Sequence, residues 1–326
     1  MTAASVFTAS VNHARYRGQA EGHYESFFVR ANHPARPLAF WLRYTLFSPR
    51  GKPERALGEL WAIFFDGESN RHAVAKQEFR LEDCDFATSA FRVRIGEATL
   101  EPNRVRGAAE AKGERLTWNL TFEGDSPPAL LLPLKLYRGG FPAAKSLASL
   151  PMARFGGALI VNNEAIDVTD WRGSQNHNWG PRHTDLYAWG QVVGFDAHPE
   201  SFLEIATARL RIGPFWSPPI TPVVLRHKGR EYCITGLWRA VRAKGGYTGA
   251  AFCSKRSSGG WPFRCSCVAD DCGPVPRGAA REIVCAAVSL TKITNTTESM
   301  VPKIAGIRRD RRPESSKRNH SHDCKR

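Results

Sequence analysis

The chain has 326 residues, 42% of them hydrophobic and 10% aromatic, with 28 Gly and 21 Pro. This is enough apolar material for a packed core, is longer than one compact domain usually needs, and is rich in turn formers. The formal charge of +15 is unevenly spread, which argues against specific nucleic-acid binding. Residues 251–326 hold 15 Lys and Arg against 7 Asp and Glu, and residues 1–250 hold 31 against 24, so the excess is concentrated in a tail and forms no stripe on a folded surface.

The opening MTAASVFTASVNHARYRG lacks the apolar core of a secretory signal. No run approaches the roughly 20 apolar residues of a membrane helix. A cytoplasmic protein is therefore expected.

From residue 24 the text reads as strand after strand. In FWLRYTLF, Phe40, Leu42, Tyr44 and Leu46 share one face, and in FRVRIGE, Phe91, Val93 and Ile95 do. RLTWNLTFE alternates Leu116, Trp118, Leu120 and Phe122 with Thr117, Asn119 and Thr121. A period of two buries one face of a strand and wets the other. ELWAIFFD is apolar on both faces, as suits a strand between two layers. SPRGKP, DGESN, EPN and EGDSPP supply the turns. AAKSLASLPMARF, residues 143–155, predicts one or two helical turns interrupted by Pro151.

GSQNHNWGPRHTDLYAWGQ, residues 173–191, is unusually rich in His, Asn, Gln and aromatic side chains. Extended backbone puts Gln175, His177 and Trp179 on one side and Asn176 and Asn178 on the other. Gly173 and Gly180 bracket the run and permit sharp bends. Further on, LYAWGQVVGF places Tyr187, Trp189, Gln191, Val193 and Phe195 on one face, opposite the small Ala188, Gly190 and Gly194. Imidazoles, amides and aromatic faces converging on a cavity are the usual make-up of a small-molecule site. SFLEIATARLRI and PVVLRHKGREYCIT continue the strands.

Alternation then stops. From about residue 250 cysteines accumulate, and the chain ends RRDRRPESSKRNHSHDCKR. Residues 251–326 read as an irregular, Cys-rich and basic segment, the text that a shifted reading frame or a disordered tail produces. Of eight Cys, only Cys84 precedes residue 233, and Cys265, Cys267, Cys272 and Cys285 lack the paired knuckles of zinc ribbons. His177 and His183 have no evident third ligand. No metal or cofactor is expected, and neither a Ser-His-Asp arrangement nor a phosphate-binding Gly loop is present.

WRGSQNHNWG followed by RHTDLYAWGQ resembles the AttH-type, lipocalin-like proteins. That group includes hydroxyneurosporene synthase (carotenoid 1,2-hydratase) and is distantly similar to tocopherol cyclase. HYESFFVRANHPARPLAFWLRYTLFSP and GELWAIFFD extend the resemblance over roughly residues 20–240. It implies an all-β fold of two consecutive lipocalin-like antiparallel barrel or sandwich domains, followed here by the irregular basic tail. Residues 1–165 are then the first domain, and residues 166–250 the start of a second that carries the NHNWG motif. The resemblance also implies a hydrophobic, isoprenoid or lipid-like ligand, and a peripheral membrane contact is compatible with the tail.

The implied chemistry is protonation of an alkene, with the cation captured by water or an internal hydroxyl, inside an aromatic wall. Trp171, Trp179, Tyr187 and Trp189 are the candidate wall, with Gln175, Asn176, Asn178 and Gln191 as polar contacts. His177, His183, Asp185 and Tyr187 are the candidate catalytic groups. The hydratase relatives carry an Asp in an H-D-H-N-W-G run where Asn176 stands here, and an amide cannot donate that proton. A non-catalytic lipid-binding protein of the same fold is the rival expectation.

Overall fold

The computed structural model describes residues 10–184, 186–195, 197–248, 251–255 and 289–292. The expected irregular segment after residue 250 lies almost wholly outside the described residues.

Twelve strands build one large antiparallel sheet: β1 (His23–Asn32), β2 (Leu38–Ser48), β3 (Leu57–Asp66), β4 (Arg71–Arg80), β5 (Cys84–Phe86), β6 (Val93–Ile95), β7 (Ala98–Glu101), β8 (Arg104–Ala111), β9 (Glu114–Glu123), β10 (Ala129–Leu130), β11 (Lys145–Val161) and β12 (Glu164–Gly180). Eleven of them follow the order β4-β3-β2-β1-β12-β11-β9-β8-β7-β6-β5, with β10 added beside β11. The sheet curls until β4 packs across onto β8 and β9, giving a nearly closed barrel. A smaller sheet, order β18-β17-β14-β13, is made by β13 (Leu186–Phe195), β14 (His198–Arg209), β17 (Val223–His227) and β18 (Arg230–Ile234). The hairpin β15 (Arg211–Ile212) and β16 (Phe215–Trp216) projects beyond it. Short strands β19 (Lys244–Thr248), β20 (Ala251–Lys255) and β21 (Ser289–Lys292) follow, and β21 pairs with β13.

The alternating runs become strands whose apolar face points into the barrel. Phe40, Leu42 and Tyr44 of β2 and Leu116, Trp118, Leu120 and Phe122 of β9 meet in one buried core. Trp118 Nε1 donates to the Tyr44 hydroxyl (3.3 Å), which donates to the Thr99 carbonyl (3.1 Å), so the buried polar tips are satisfied. The barrel interior is thus filled by side chains. ELWAIFFD is apolar twice over for the expected reason. In β3, Leu60, Ala62 and Phe64 face the barrel core, while Ile63 packs outward with Phe28, Trp41 and Trp189 against the small sheet.

Two expectations change. Residues 143–155 are not helical, because all from Lys145 onward fall in the 17-residue strand β11. Leu147 pairs with His177 and Phe155 with Trp171, and the register slips between Leu150 and Ala153, so Pro151 sits where no ladder N–H is required. The helical turn lies earlier, at Leu134–Arg138. The change of sheet also falls later than residue 165. Asn162 and Asn163, at φ 50° and 72°, make the tight turn between β11 and β12, and β12 stays in the large sheet to Gly180. The small sheet begins only at Leu186.

Candidate functional site

Strand β12 carries the His- and Asn-rich motif through the middle of the assembly. It pairs with β1 on one side and β11 on the other, and from Gly173 to His177 both of its faces are buried. Gln175 and His177 share the barrel-facing side, Trp179 packs beside His177 and also reaches the cavity, and Asn176 and Asn178 face the small sheet. The bracketing glycines serve close packing and make no bend. A Cβ on Gly173 would stand 1.9 Å from the Arg30 carbonyl, and one on Gly180 would stand 2.5 Å from that of Ala143.

On the barrel side the motif is committed to a buried lock. His177 Nε2 lies 2.8 Å from Glu25 Oε1 and its Nδ1 lies 2.7 Å from the Val11 carbonyl. His23 Nε2 sits 2.9 Å from Glu25 Oε2, and its Nδ1 meets Gln19 Nε2 at 2.8 Å. The backbone N–H groups of Arg15 and Tyr16 also donate to Glu25. Burial pushes the Glu25 carboxyl up, but the hydrogen bonds from His177 and His23 outweigh it and hold the group at about 2. Gln175 Oε1 accepts from Asn12 Nδ2 (2.8 Å). Phe27 stacks on His177 at 4.1 Å. The segment around residues 10–16 is thereby fastened across one end of the barrel, and Ala14 enters the core. Glu25 is the acidic partner that sequence reading missed. Its sign was the alternation His23, Glu25, Phe27 in HYESFF, but its partner is 152 residues away.

On the opposite face a second buried network joins the sheets. Gln191 Oε1 accepts from Arg30 Nε (2.8 Å), Arg30 Nη2 (2.6 Å) and the Ser174 hydroxyl (2.6 Å). Gln191 Nε2 donates to Asn176 Oδ1 (3.0 Å), and Asn176 Nδ2 donates to Ser174 Oγ (2.7 Å). Beside it, Trp189 Nε1 donates to Glu204 Oε1 (2.9 Å). Burial pushes the Glu204 carboxyl up to about 7, against the opposing pull of Trp189 and Arg30. Burial lowers the Arg30 guanidinium to about 10.

Between the sheets, next to this network, lies a cavity of about 180 Å³, room for on the order of ten waters. Tyr24, Phe28, Trp41 and Arg43 form its floor. Asn178, Trp179, His183, Tyr187 and Trp189 line it from the motif, and Leu131, Leu136, Leu210, Ile220 and Leu237 close its apolar side. No Asp or Glu lines it among the described residues. Three buried polar atoms belonging to its lining residues, Tyr24 Oη, Trp41 Nε1 and Asn178 Oδ1, have no hydrogen-bond partner among the described residues. Such orphans are costly unless something else satisfies them.

The expected site residues therefore divide. Asn178, Trp179, His183, Tyr187 and Trp189 meet at the cavity. Trp171 is packed in the barrel core against Phe40, and Gln175 and His177 serve the lock. Asn176 and Gln191 hold the sheets together. Asp185 lies outside the described residues. One group of metal-ligand type was not foreseen: donor atoms of His198, Glu200 and His227 lie within 4.8 Å of one another. His227 Nδ1 is already bonded to Ser201 Oγ at 2.8 Å, and His198 Nδ1 stands 3.8 Å from Glu200.

Fold and site define an all-β protein: a filled antiparallel barrel with an aromatic-walled cavity on its outer face, closed by a small sheet. No family model and no curated protein matches the sequence. Solved structures match the fold. A Nitrosomonas europaea protein carrying the AttH designation superposes with a TM-score of 0.52 at 14% identity, over 74% of this chain and 81% of that one. Kievitone hydratase from Nectria haematococca gives 0.46 at 13% identity, over 68% of each chain. CghA with Sch210972 gives 0.38 at 13% identity, over 65% of this chain and 59% of that one. The fold is AttH-like, and at these identities the likeness concerns the fold alone.

Proposed function

We propose that this chain binds a hydrophobic, isoprenoid- or lipid-like small molecule in the cavity between the barrel and the small sheet. One observation carries the reading: an apolar and aromatic wall in which Tyr24, Trp41 and Asn178 keep buried polar atoms unpartnered. Three tryptophans, Trp41, Trp179 and Trp189, line the cavity, so occupancy is readable as a change in intrinsic fluorescence. Solvent extraction of the purified protein followed by mass spectrometry is expected to release a stoichiometric apolar compound. A protein that releases nothing and shows no fluorescence change with any apolar ligand does not have this function.

Binding without chemistry is the better-supported form. The Glu25 carboxyl is ionised and sealed inside the barrel with His177, both at 0% exposure. Asn176 is held by Ser174 and Gln191. One observation favours catalysis: Glu204, protonated near neutrality, hydrogen-bonds the Trp189 that lines the cavity. If acid-catalysed hydration or cyclisation occurs, Glu204→Gln abolishes turnover of the extracted ligand and leaves binding within about twofold. Turnover that survives the substitution eliminates Glu204 as the acid.

A further inference from the structure

We infer that the cavity selects an amphipathic anion, a carboxylate on an apolar chain, with the headgroup seated at Arg43. The inference rests on the binding role proposed above and specifies its ligand. Arg43 projects from β2 into the cavity floor, across the ladder from Phe28. Its Nε donates to Ser26 Oγ at 2.8 Å, and its guanidinium lies 5.6 Å from the centre of the Tyr24 ring. Among the described residues its two terminal nitrogens have no hydrogen-bond acceptor and no carboxylate within ion-pair distance. The groups whose charge reaches it are the Tyr187 phenol, which lines the same cavity, and Glu59, which is paired with Lys76 at 2.7 Å.

A guanidinium held in protein surroundings without a counter-ion is expensive, and its planar fork matches a carboxylate. Two of the three neighbouring orphans supply the rest of the cradle, while Asn178 Oδ1, an acceptor, lies outside it. Tyr24 Oη and Trp41 Nε1 are donors, and Trp41 lies two residues from Arg43 on the same face of β2. Lys145 adds a further cation to the lining, where no described carboxylate opposes it. On the apolar side Leu131, Leu136 and Leu237 can hold only a hydrocarbon chain. A neutral terpene would satisfy these walls and leave Arg43 and the orphaned donors unpaired. A bare small anion would do the reverse.

Titration of the full chain with decanoate, decanol and acetate, read by tryptophan fluorescence and calorimetry, tests this. Decanoate is expected to bind at least tenfold more tightly than decanol, with no measurable acetate binding. Arg43→Met is expected to reduce the decanoate affinity to that of decanol and leave decanol binding unchanged. The wild-type comparison stands whether or not that variant folds. Equal binding of decanoate and decanol overturns the anion selectivity while the binding role survives. Acetate binding as tight as decanoate overturns the need for a chain. Failure of all three to bind removes both the selectivity and the cavity's role as a binding site.

Discussion

Glu25 and His177 illustrate how a polar residue in a motif can serve architecture. Both are fully buried, and each depends on the other for compensation. Removing one member of a buried ion pair costs roughly 3–5 kcal/mol. His177→Ala is expected to lower the unfolding free energy by about that amount in urea denaturation. Ligand affinity per folded molecule should be unchanged, because the ring faces the barrel interior. Tyr24 gives the converse case. Tyr24→Phe removes a hydroxyl that has no partner among the described residues, so stability of the ligand-free protein should be equal or slightly higher. Ligand affinity should fall about fivefold, the worth of about one hydrogen bond. The residue types at this site were legible in the sequence, and so were the two faces of β12. The partners were not: Glu25 meets His177, and Gln191 meets Arg30, through long-range register that a local reading of residues 173–191 does not contain.

Strands were legible where one face is wet. The alternation in β9 survives in its burial pattern, with Leu116, Trp118, Leu120 and Phe122 buried and Glu123 exposed. Strand β11 was misread because its first half is covered on both sides, so alternation gives way to an apolar run that resembles a helix. Gly173 was read for its freedom, but the demand comes from β1 lying against it. Gly173→Ala drives a methyl into the Arg30 carbonyl and is expected to separate β1 from β12, with loss of soluble folded protein or a fall of several kcal/mol in stability. Asn163→Gly, at the positive-φ turn that joins β11 to β12, should be neutral or slightly stabilising in the same assay.

For the whole molecule, two buried carboxyls act in opposite directions on the pH dependence of stability. Glu25 falls from 4.5 to about 2 on folding. The unfolded chain binds the extra proton between those values, so this contribution is present above pH 4.5 and is lost as pH falls toward 2. Glu204 rises from 4.5 to about 7. Here the folded chain binds the extra proton, so stability declines as pH rises from 4.5 to 7. Each limb is worth about 3 kcal/mol. Relative to wild type, Glu204→Gln should remove this decline between pH 4.5 and 7 in thermal melts while leaving the acid limb intact. A variant profile that runs parallel to wild type from pH 4.5 to 7 would exclude the shifted Glu204. The cavity also belongs to this scale. It exists only when the small sheet docks on the outside of the barrel, so the sequence showed its wall residues without showing where they meet.

The pairing of β1 with β12 has a consequence for how the chain is made. The second neighbour of β1 is the partner in the Tyr24–Gly180 register, so the first strand waits for the twelfth. During synthesis β1–β4 and β5–β9 can form as two separate meanders, with β11 adding to the second, but they join into one sheet only when residues 164–180 emerge. Until then β1 presents an open edge, and the lock on Glu25 lacks His177. Closing so long a loop costs entropy before its contacts repay it, which makes such pairings slow and prone to association. Chains ending at residue 163 should accumulate as aggregates, whereas chains ending after the small sheet should remain soluble, a difference that fractionation of a nested truncation series will reveal.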